Sequence, residues 1–417
     1  MNPIIHLDMN SYFASVEQQA NPFLRNKVLG VCAYLGENGC IIAPSIEAKA
    51  VGIKTGMRVK DARKIYKNIF LVENDPNKYR TTTKHIFSIL ADYTDKVEPY
   101  SIDEAFMDLS GFVTTYEAAE ILVREIKDRI RNEVGEWLRC SVGISYTRFL
   151  AKLASKYKKP DGLTVLKPNQ LDDFYAKITL LDIWGINYRI ERRLNQLGIK
   201  TPMELKNYPV TNIMQALGKY GYYLWGNLNG QEISGVSRRV DIQPKSIGHS
   251  YCLPKKTSDT TYLNGMLMKL CERTARRMRA KKLEATKVSF YFRYQNGGGF
   301  HKQTKQPEPL FSSQCIFHAI QRIFASIVLQ DNVTMLSVAV SDLIPRRKQS
   351  SLFSDNKEKQ RALHESLDLI NDKFGEFTVI LGNMVGTENY AKDRIGYRKS
   401  VDVDEIERHA LRYEQEL

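Results

Sequence analysis

The spacing of apolar and polar positions changes repeatedly along the chain, and each change marks an element. "PIIHLDMN" is a short apolar run that reads as a strand ending at Asp8. "SYFASVEQQ" then reads as a helix start, with Asn10 or Ser11 as its cap. From 21 to 75 the pattern is mixed and punctuated by glycine, with short helices expected at 45–51 and 58–66. Tyr79, Ile86, Ile89, Leu90 and Tyr93 recur at helical spacing over 77–94. "KVEPYSIDEAFMDLS" reads as strand, turn, strand, and Ala118, Ile121, Leu122, Ile126 and Ile130 set a helix over 115–134. "CSVGISYTRFLAKLASKYKKPDGLTVL" follows as strand, helix, turn, strand.

Residues 1–20 and 76–166 thus give a ferredoxin-like βαββαβ order, with 21–75 inserted into it. Residues 167–238 are mostly helical, with glycine-marked turns in "WGINYRIERRLNQLGIKT" and "QALGKYGYYLWGNLNG". From 243 to 345 an extended segment, a helix (259–282), two strands around "NGGGF", a helix (312–329) and "VTMLSVAVSDL" repeat the βαββαβ order without a residue-level repeat. After Pro345 the composition turns polar, and "RRKQSSLFSDNKEKQ" is expected to be flexible. The remainder of 346–417 reads as a helix and short strands without a core of their own. The fold class expected is α+β.

Length and charge narrow the partners. A chain of 417 residues exceeds one ordinary core and calls for roughly two to four domains. There are 61 Lys+Arg against 47 Asp+Glu, an excess that favours a polyanionic partner. No apolar run of transmembrane length and no basic amphipathic helix appears, so a membrane partner is not expected. Six scattered cysteines without a C-x-x-C pair read as reduced thiols, and the N-terminus lacks a signal-peptide pattern. Both point to the cytoplasm.

The chemistry centres on "PYSIDEAFMDLSG", where Asp103 and Glu104 interrupt an apolar run. A carboxylate out of water needs a cation or donors. Adjacent strand residues point to opposite faces, so a shared role requires a strand end or hairpin tip. Asp8 ends the first strand, and a ferredoxin-like sheet can bring two such ends together. Three carboxylates there would repel one another unless divalent cations met them, and magnesium suits oxygen-only ligands. Two ions roughly 3.5–4 Å apart would flank a phosphoryl displacement. The plainer reading has Asp8 cap the next helix and Asp103 cap a turn.

"HLDMNSYFASVE", "NGCIIAPSIEAKAVGIKTGM", "YSIDEAFMDLSG", "SVGISYTRFLAKLASKYKKPDGL" and "LLDIWGINYRIERRLNQLGIKT" resemble, in order and spacing, the successive motifs of Y-family translesion DNA polymerases. "GCIIA", "EAKA" and "AKDRIGYRKS" look closer to the UmuC-type branch, which includes UV-damage repair proteins, than to the polymerase IV branch. The resemblance implies a right hand: palm (1–20 and 76–166), fingers (21–75), helical thumb (167–238), little finger (243–345) and a C-terminal tail (346–417). It implies a low-fidelity, template-directed DNA polymerase without proofreading, acting on primer–template DNA and dNTPs as a monomer. Two magnesium ions would be held by Asp8, the Met9 carbonyl, Asp103 and Glu104. Triphosphate oxygens would meet the N–H groups of Ser11, Tyr12 and Phe13, with Lys49 and Lys159. Phe13 matches the steric gate that excludes a ribose 2′-OH; otherwise it is a core Phe, and Lys159 a solvated loop charge.

Two positions depart from the family pattern. Ile46 and Lys49 stand where many members carry a Tyr and an Arg toward the triphosphate, and a lysine offers a point charge rather than a fork. Asn187 stands where the thumb hairpin of "WGIN", beginning at Gly185, usually has glycine near a DNA phosphate; asparagine tolerates the left-handed backbone expected there. Further DNA contacts are expected from residues 255–302, with twelve Lys/Arg against three Asp/Glu. Arg276, Arg277, Arg279, Lys281 and Lys282 lead that group, although a charge run is more often a solvated face. Strand "VSFYFRYQ" also alternates, so that one face can pack while the other meets phosphate. "QSSLF", with Gln349, Leu352 and Phe353, resembles the bacterial sliding-clamp pentapeptide, a pattern short enough to arise by chance. The competing function is a polymerase-like accessory protein that binds primer–template and clamp but has lost chemistry.

Overall fold

The computed structural model describes residues 3–236, 243–346, 355–387, 390 and 391. Close contacts divide the chain between Asp241 and Ile242 into two compact units.

The first unit runs β1 (Ile4–Met9), α1 (Tyr12–Ala20), β2 (Leu29–Cys32), β3 (Ile41–Pro44), α2 (Ile46–Ala50), α3 (Val59–Ile65), β4 (Phe70–Glu73), α4 (Pro76–Ala91), β5 (Val97–Ser101), β6 (Glu104–Asp108), α5 (Tyr116–Arg129), β7 (Cys140–Ser145), α6 (Arg148–Tyr157) and β8 (Leu163–Val165). Helices α7 (Leu171–Tyr175), α8 (Tyr188–Gln196), α9 (Pro202–Asn207), α10 (Val210–Leu217) and α11 (Lys219–Leu228) follow. The main sheet has the order β5-β6-β1-β7-β8, with β1 antiparallel to both neighbours. Each crossover spans one inserted strand, which is the ferredoxin-like arrangement. Segment 21–75 builds a separate sheet, β3-β2-β4, around Cys32, Ile41, Ala48, Ile53, Val59 and Ile69.

Alternation along β1 decides what each sheet face carries. Ile5, Leu7 and Met9 join Ala105, Met107, Val142 and Ile144 in the large core shared with α4 and α5. His6 and Asp8 lie on the opposite face, against which α6 packs with Arg148, Lys152 and Ser155 buried. That approach depends on Gly143. A Cβ there would stand 2.1 Å from the Ala151 carbonyl oxygen and 2.4 Å from the Ser155 nitrogen.

The second unit runs β9 (Ser246–Thr257), α12 (Thr260–Ala280), β10 (Leu283–Tyr294), β11 (Gly299–Leu310), α13 (Ser313–Phe324), β12 (Val333–Pro345) and α14 (Asp355–Phe374). Its element order matches the first unit, but its sheet order is β11-β10-β12-β9, so the first strand is an edge rather than the centre. Val288, Phe290, Phe292, Leu336, Val338 and Val340 face α12 and α13.

The tail departs from expectation. The segment read as flexible is helical from Asp355 onward, built from good helix formers and tied by Arg361–Glu284 (2.6 Å) and Arg346–Glu365 ion pairs. After β12 no strand forms among the described residues. Phe377, Ile380, Leu381, Met384 and Tyr390 instead pack against the second unit's core. "QSSLF" (349–353) lies outside the described residues.

Candidate active site

Register brings the acidic positions together. Asp8 is the direct cross-strand partner of Glu104, and the Met9 N–H donates to the Asp103 carbonyl at 2.8 Å. Asp103 sits in the turn joining β5 to β6, so it escapes the strict alternation that would separate it from Glu104. Like charges directly opposite on a sheet are destabilising, and each carboxylate has acquired a donor. Lys159 Nζ lies 2.5 Å from Asp8 Oδ1, and Ser101 Oγ donates to Asp103 Oδ1 at 2.5 Å. Glu104 Oε2 takes Lys152 Nζ and a hydrogen bond from His6 Nε2 at 3.0 Å.

The electrostatics follow from that pairing. Burial, and then the charge of Asp8, push the Asp103 carboxyl up to about 6. Burial would also raise Glu104, but the His6 hydrogen bond and the Lys152 charge outweigh it and hold Glu104 well below the usual carboxylate range. Burial lowers His6 to about 4, so its ring is neutral.

A cavity of about 650 Å³ opens over these groups. Asp8, Asp103, Glu104 and Lys159 line one part; Ile42, Ala43, Ile46, Lys49 and Thr55 line another. Desolvation, then the charge of Lys159, lower the pKa of Lys49. Ser11, Tyr12 and Phe13 complete the wall at the start of α1. Neither expected cap serves that helix. Ser11 is left-handed (φ 47°), makes no capping bond, and its buried Oγ has no partner among the described residues. The Asn10 side chain instead bonds Ser141 Oγ (3.0 Å) and accepts the Asp161 N–H (2.6 Å), which ties down the loop carrying Lys159. The first N–H groups of α1 therefore lack intrahelical acceptors. The Phe13 ring is buried and stacks on Tyr79 at 4.5 Å.

Among the described residues no three His, Cys, Asp or Glu side chains are gathered into a ready-made metal centre. Mutual repulsion gives the reason, since Asp8 and Glu104 each lean on a lysine. The donor set nevertheless fits a hard cation. It is all oxygen, and Asp103 is disfavoured in its ionised form first by burial and then by the neighbouring charge of Asp8.

The positions expected to meet DNA fare differently. Gly185 has φ +101° and its carbonyl accepts the Tyr220 hydroxyl at 2.6 Å. Asn187 is extended (φ −113°), not left-handed. It caps α8, its side chain accepting the N–H groups of Arg189 (2.9 Å) and Ile190 (3.1 Å). On α12, Arg276 bonds Asp372 (2.6 Å) and Arg279 grips Asp368 (2.6 and 2.7 Å), both acids from α14. Arg277 donates to the Gly248 carbonyl at 3.3 Å. The stripe read as open therefore spends its arginines inside the unit, because α14 and the following turn bring Asp368, Asp372 and Glu376 against it. Lys281 is half-buried and Lys282 exposed at the end of α12. The face of β10 turned away from the helices carries Lys287, Ser289, Tyr291 and Arg293, with His301, Gln303 and Lys305 in register on β11.

Lys152 and His6 were not singled out by sequence. Their signals were a lone polar residue in an apolar strand, and Arg148, Lys152 and Ser155 at i, i+4, i+7 on a helix with little polar excuse for burial.

Comparison with known proteins agrees with this geometry. Residues 7–156 match the impB/mucB/samB family and residues 244–352 its C-terminal domain. DNA polymerase IV of Pelotomaculum thermopropionicum is 31% identical over 95% of this chain and 99% of its own. DNA polymerase IV 1 of Bacillus subtilis is 30% identical over 96% and 98%. Both carry the polymerase IV name, the branch the motifs resembled less. A solved Y-family DNA polymerase chimera of Dbh and Dpo4 superposes with a TM-score of 0.74 at 25% identity, covering 82% of this chain and all of its own. Such relatives imply a dependence on divalent metal in general, and do not favour the accessory-protein alternative. With palm, fingers, thumb and little finger as its architecture, the chain belongs to the Y family of DNA polymerases, enzymes of template-directed translesion synthesis.

Proposed function

We propose that the cavity over Asp8, Asp103 and Glu104 is where a dNTP meets the primer end, and that two magnesium ions are held there by those carboxylates and the Met9 carbonyl. The observation that carries this reading is one cavity uniting the three carboxylates, two lysines and the uncapped start of α1. The N–H groups of Ser11, Tyr12 and Phe13 suit triphosphate oxygens, and Lys159 and Lys49 add point charges from two sides. Lys159 would exchange Asp8 for phosphate as the nucleotide arrives. The cations, when bound, would supply charge neutralisation at the attacking and leaving oxygens. Phe13, held by Tyr79, would exclude a ribose 2′-OH by contact alone. Ile42 and Ala43 offer the apolar surface a base would lie on.

Primer–template would meet the hairpin at Gly185–Asn187 in the first unit; in the second, the outward face of β10 and β11 would meet it through Arg293 and Lys305, which offer sequence-independent phosphate contacts, Lys287 being paired with Asp342 at 2.9 Å. This reading moves the second unit's DNA surface from α12 to the sheet. Gln349, Leu352 and Phe353 remain the proposed tether to a sliding clamp, and the enzyme is taken to act as a cytoplasmic monomer. Among the described residues no helix is long and apolar enough to cross a membrane.

Primer extension with magnesium and four dNTPs tests the site. Asp103→Ala should reduce nucleotide addition by at least about 100-fold while primer–template affinity, read by fluorescence anisotropy, stays within about twofold. Extension near the wild-type rate would remove Asp103 from the chemistry.

A further inference from the structure

Behind the carboxylates lies a set of polar groups that the reading above leaves without a task. Lys152 belongs to α6 and its side chain is 6% exposed. Lysine is among the residue types least often buried, so its burial calls for a partner. Glu104 is its only acidic partner among the described residues. Around the ammonium stand Tyr100, with its ring centre 4.4 Å away, and Trp184 at 5.3 Å. His6 Nε2 reaches the same Glu104 oxygen at 3.0 Å, and His6 Nδ1 lies 2.7 Å from Ser155 Oγ. A carboxylate can only accept, so Nε2 is the donor to Glu104, while Ser155 Oγ at Nδ1 also donates to the Lys152 carbonyl at 2.9 Å.

Both donors thus converge on Oε2, and no protein donor among the described residues reaches Oε1. A glutamate has three side-chain torsions, and left alone against Asp8 it would turn away. Pinning one oxygen fixes those torsions before any ligand arrives and leaves the other oxygen for a cation.

We infer that Lys152, seconded by His6, is a positioning residue that holds Glu104 through Oε2 so that Oε1 is presented to metal in the cavity. The inference rests on Glu104 being a metal ligand. Groups that orient a ligand in this way commonly change metal affinity 10–100-fold when removed.

The test is direct Mn²⁺ binding, followed by electron paramagnetic resonance, to the full chain with dideoxy-terminated primer–template and the next dNTP. Lys152→Met should weaken Mn²⁺ binding about 10-fold. His6→Phe should weaken it less, in the same direction, and keeps the test open should Lys152→Met fail to fold. Glu104→Gln should weaken binding at least as much as Lys152→Met, and the Lys152→Met/Glu104→Gln double variant no further than Glu104→Gln alone, since the lysine acts through the glutamate. A merely structural lysine would lower the melting temperature and leave Mn²⁺ affinity untouched. Binding within twofold of wild type in both Lys152→Met and His6→Phe, with Glu104→Gln impaired, overturns the inference. Normal Mn²⁺ binding by Glu104→Gln would instead remove Glu104 from the ligand set, and the positioning role with it.

Discussion

Asn187 offers a sharp test of whether the thumb hairpin meets a DNA phosphate. Its Oδ1 accepts the N–H groups of Arg189 and Ile190, the donors that a phosphate approaching the start of α8 would use. A phosphate must therefore displace the side chain and give up a cap worth about 1 kcal/mol. At about 1.4 kcal/mol per factor of ten, that competition weakens binding roughly fivefold. Asn187→Gly removes the competitor, and glycine at a helix cap costs only a few tenths of a kcal/mol. Because Asn187 is extended, the substitution relieves no backbone strain that would confuse the result. Primer–template affinity by fluorescence anisotropy should tighten about three- to fivefold, by the same reasoning. The slope of affinity against salt should not change, since no charge is altered. An affinity equal to or weaker than wild type would mean that no phosphate visits this helix end.

Further outcomes follow from the same geometry. Gly143→Ala should cost about 1–3 kcal/mol, because α6 must lift off β7, and an unchanged melting temperature would refute so close a packing. The folded-state pKa of Asp103, about 6, lies above its ordinary 3.8, so the stability linked to its proton is present below the lower value and lost as pH rises through the higher. In chelator, Asp103→Asn should therefore melt above wild type at pH 7 and level with it at pH 4; an equal difference at both would exclude this carboxyl as the cause. Arg279→Ala should lower stability yet leave the salt slope of DNA binding alone, whereas Lys305→Ala should reduce that slope by about 1. The opposite pattern would return the DNA surface to α12.

Much of this molecule is written locally. Helices α4, α5, α12 and α13 and most strands follow from periods of 3.6 and 2, which the backbone imposes on any short stretch. Asp8, Asp103 and Glu104 were legible because carboxylates in apolar runs demand an explanation. Phe13 and Lys159 became legible only through family motifs, since each alone resembles an ordinary core or loop residue.

Pairings across long stretches of chain were decided by tertiary structure. The same βαββαβ order closes into β5-β6-β1-β7-β8 in one unit and β11-β10-β12-β9 in the other, because the order of elements along the chain does not fix which strands pair. Lys152 meets Glu104 across 48 positions, and Arg279 meets Asp368 across 89. A basic run reads the same whether solvated or paired; only the docking of α14 turned the α12 arginines inward. Composition counts charges, whereas the fold chooses their partners.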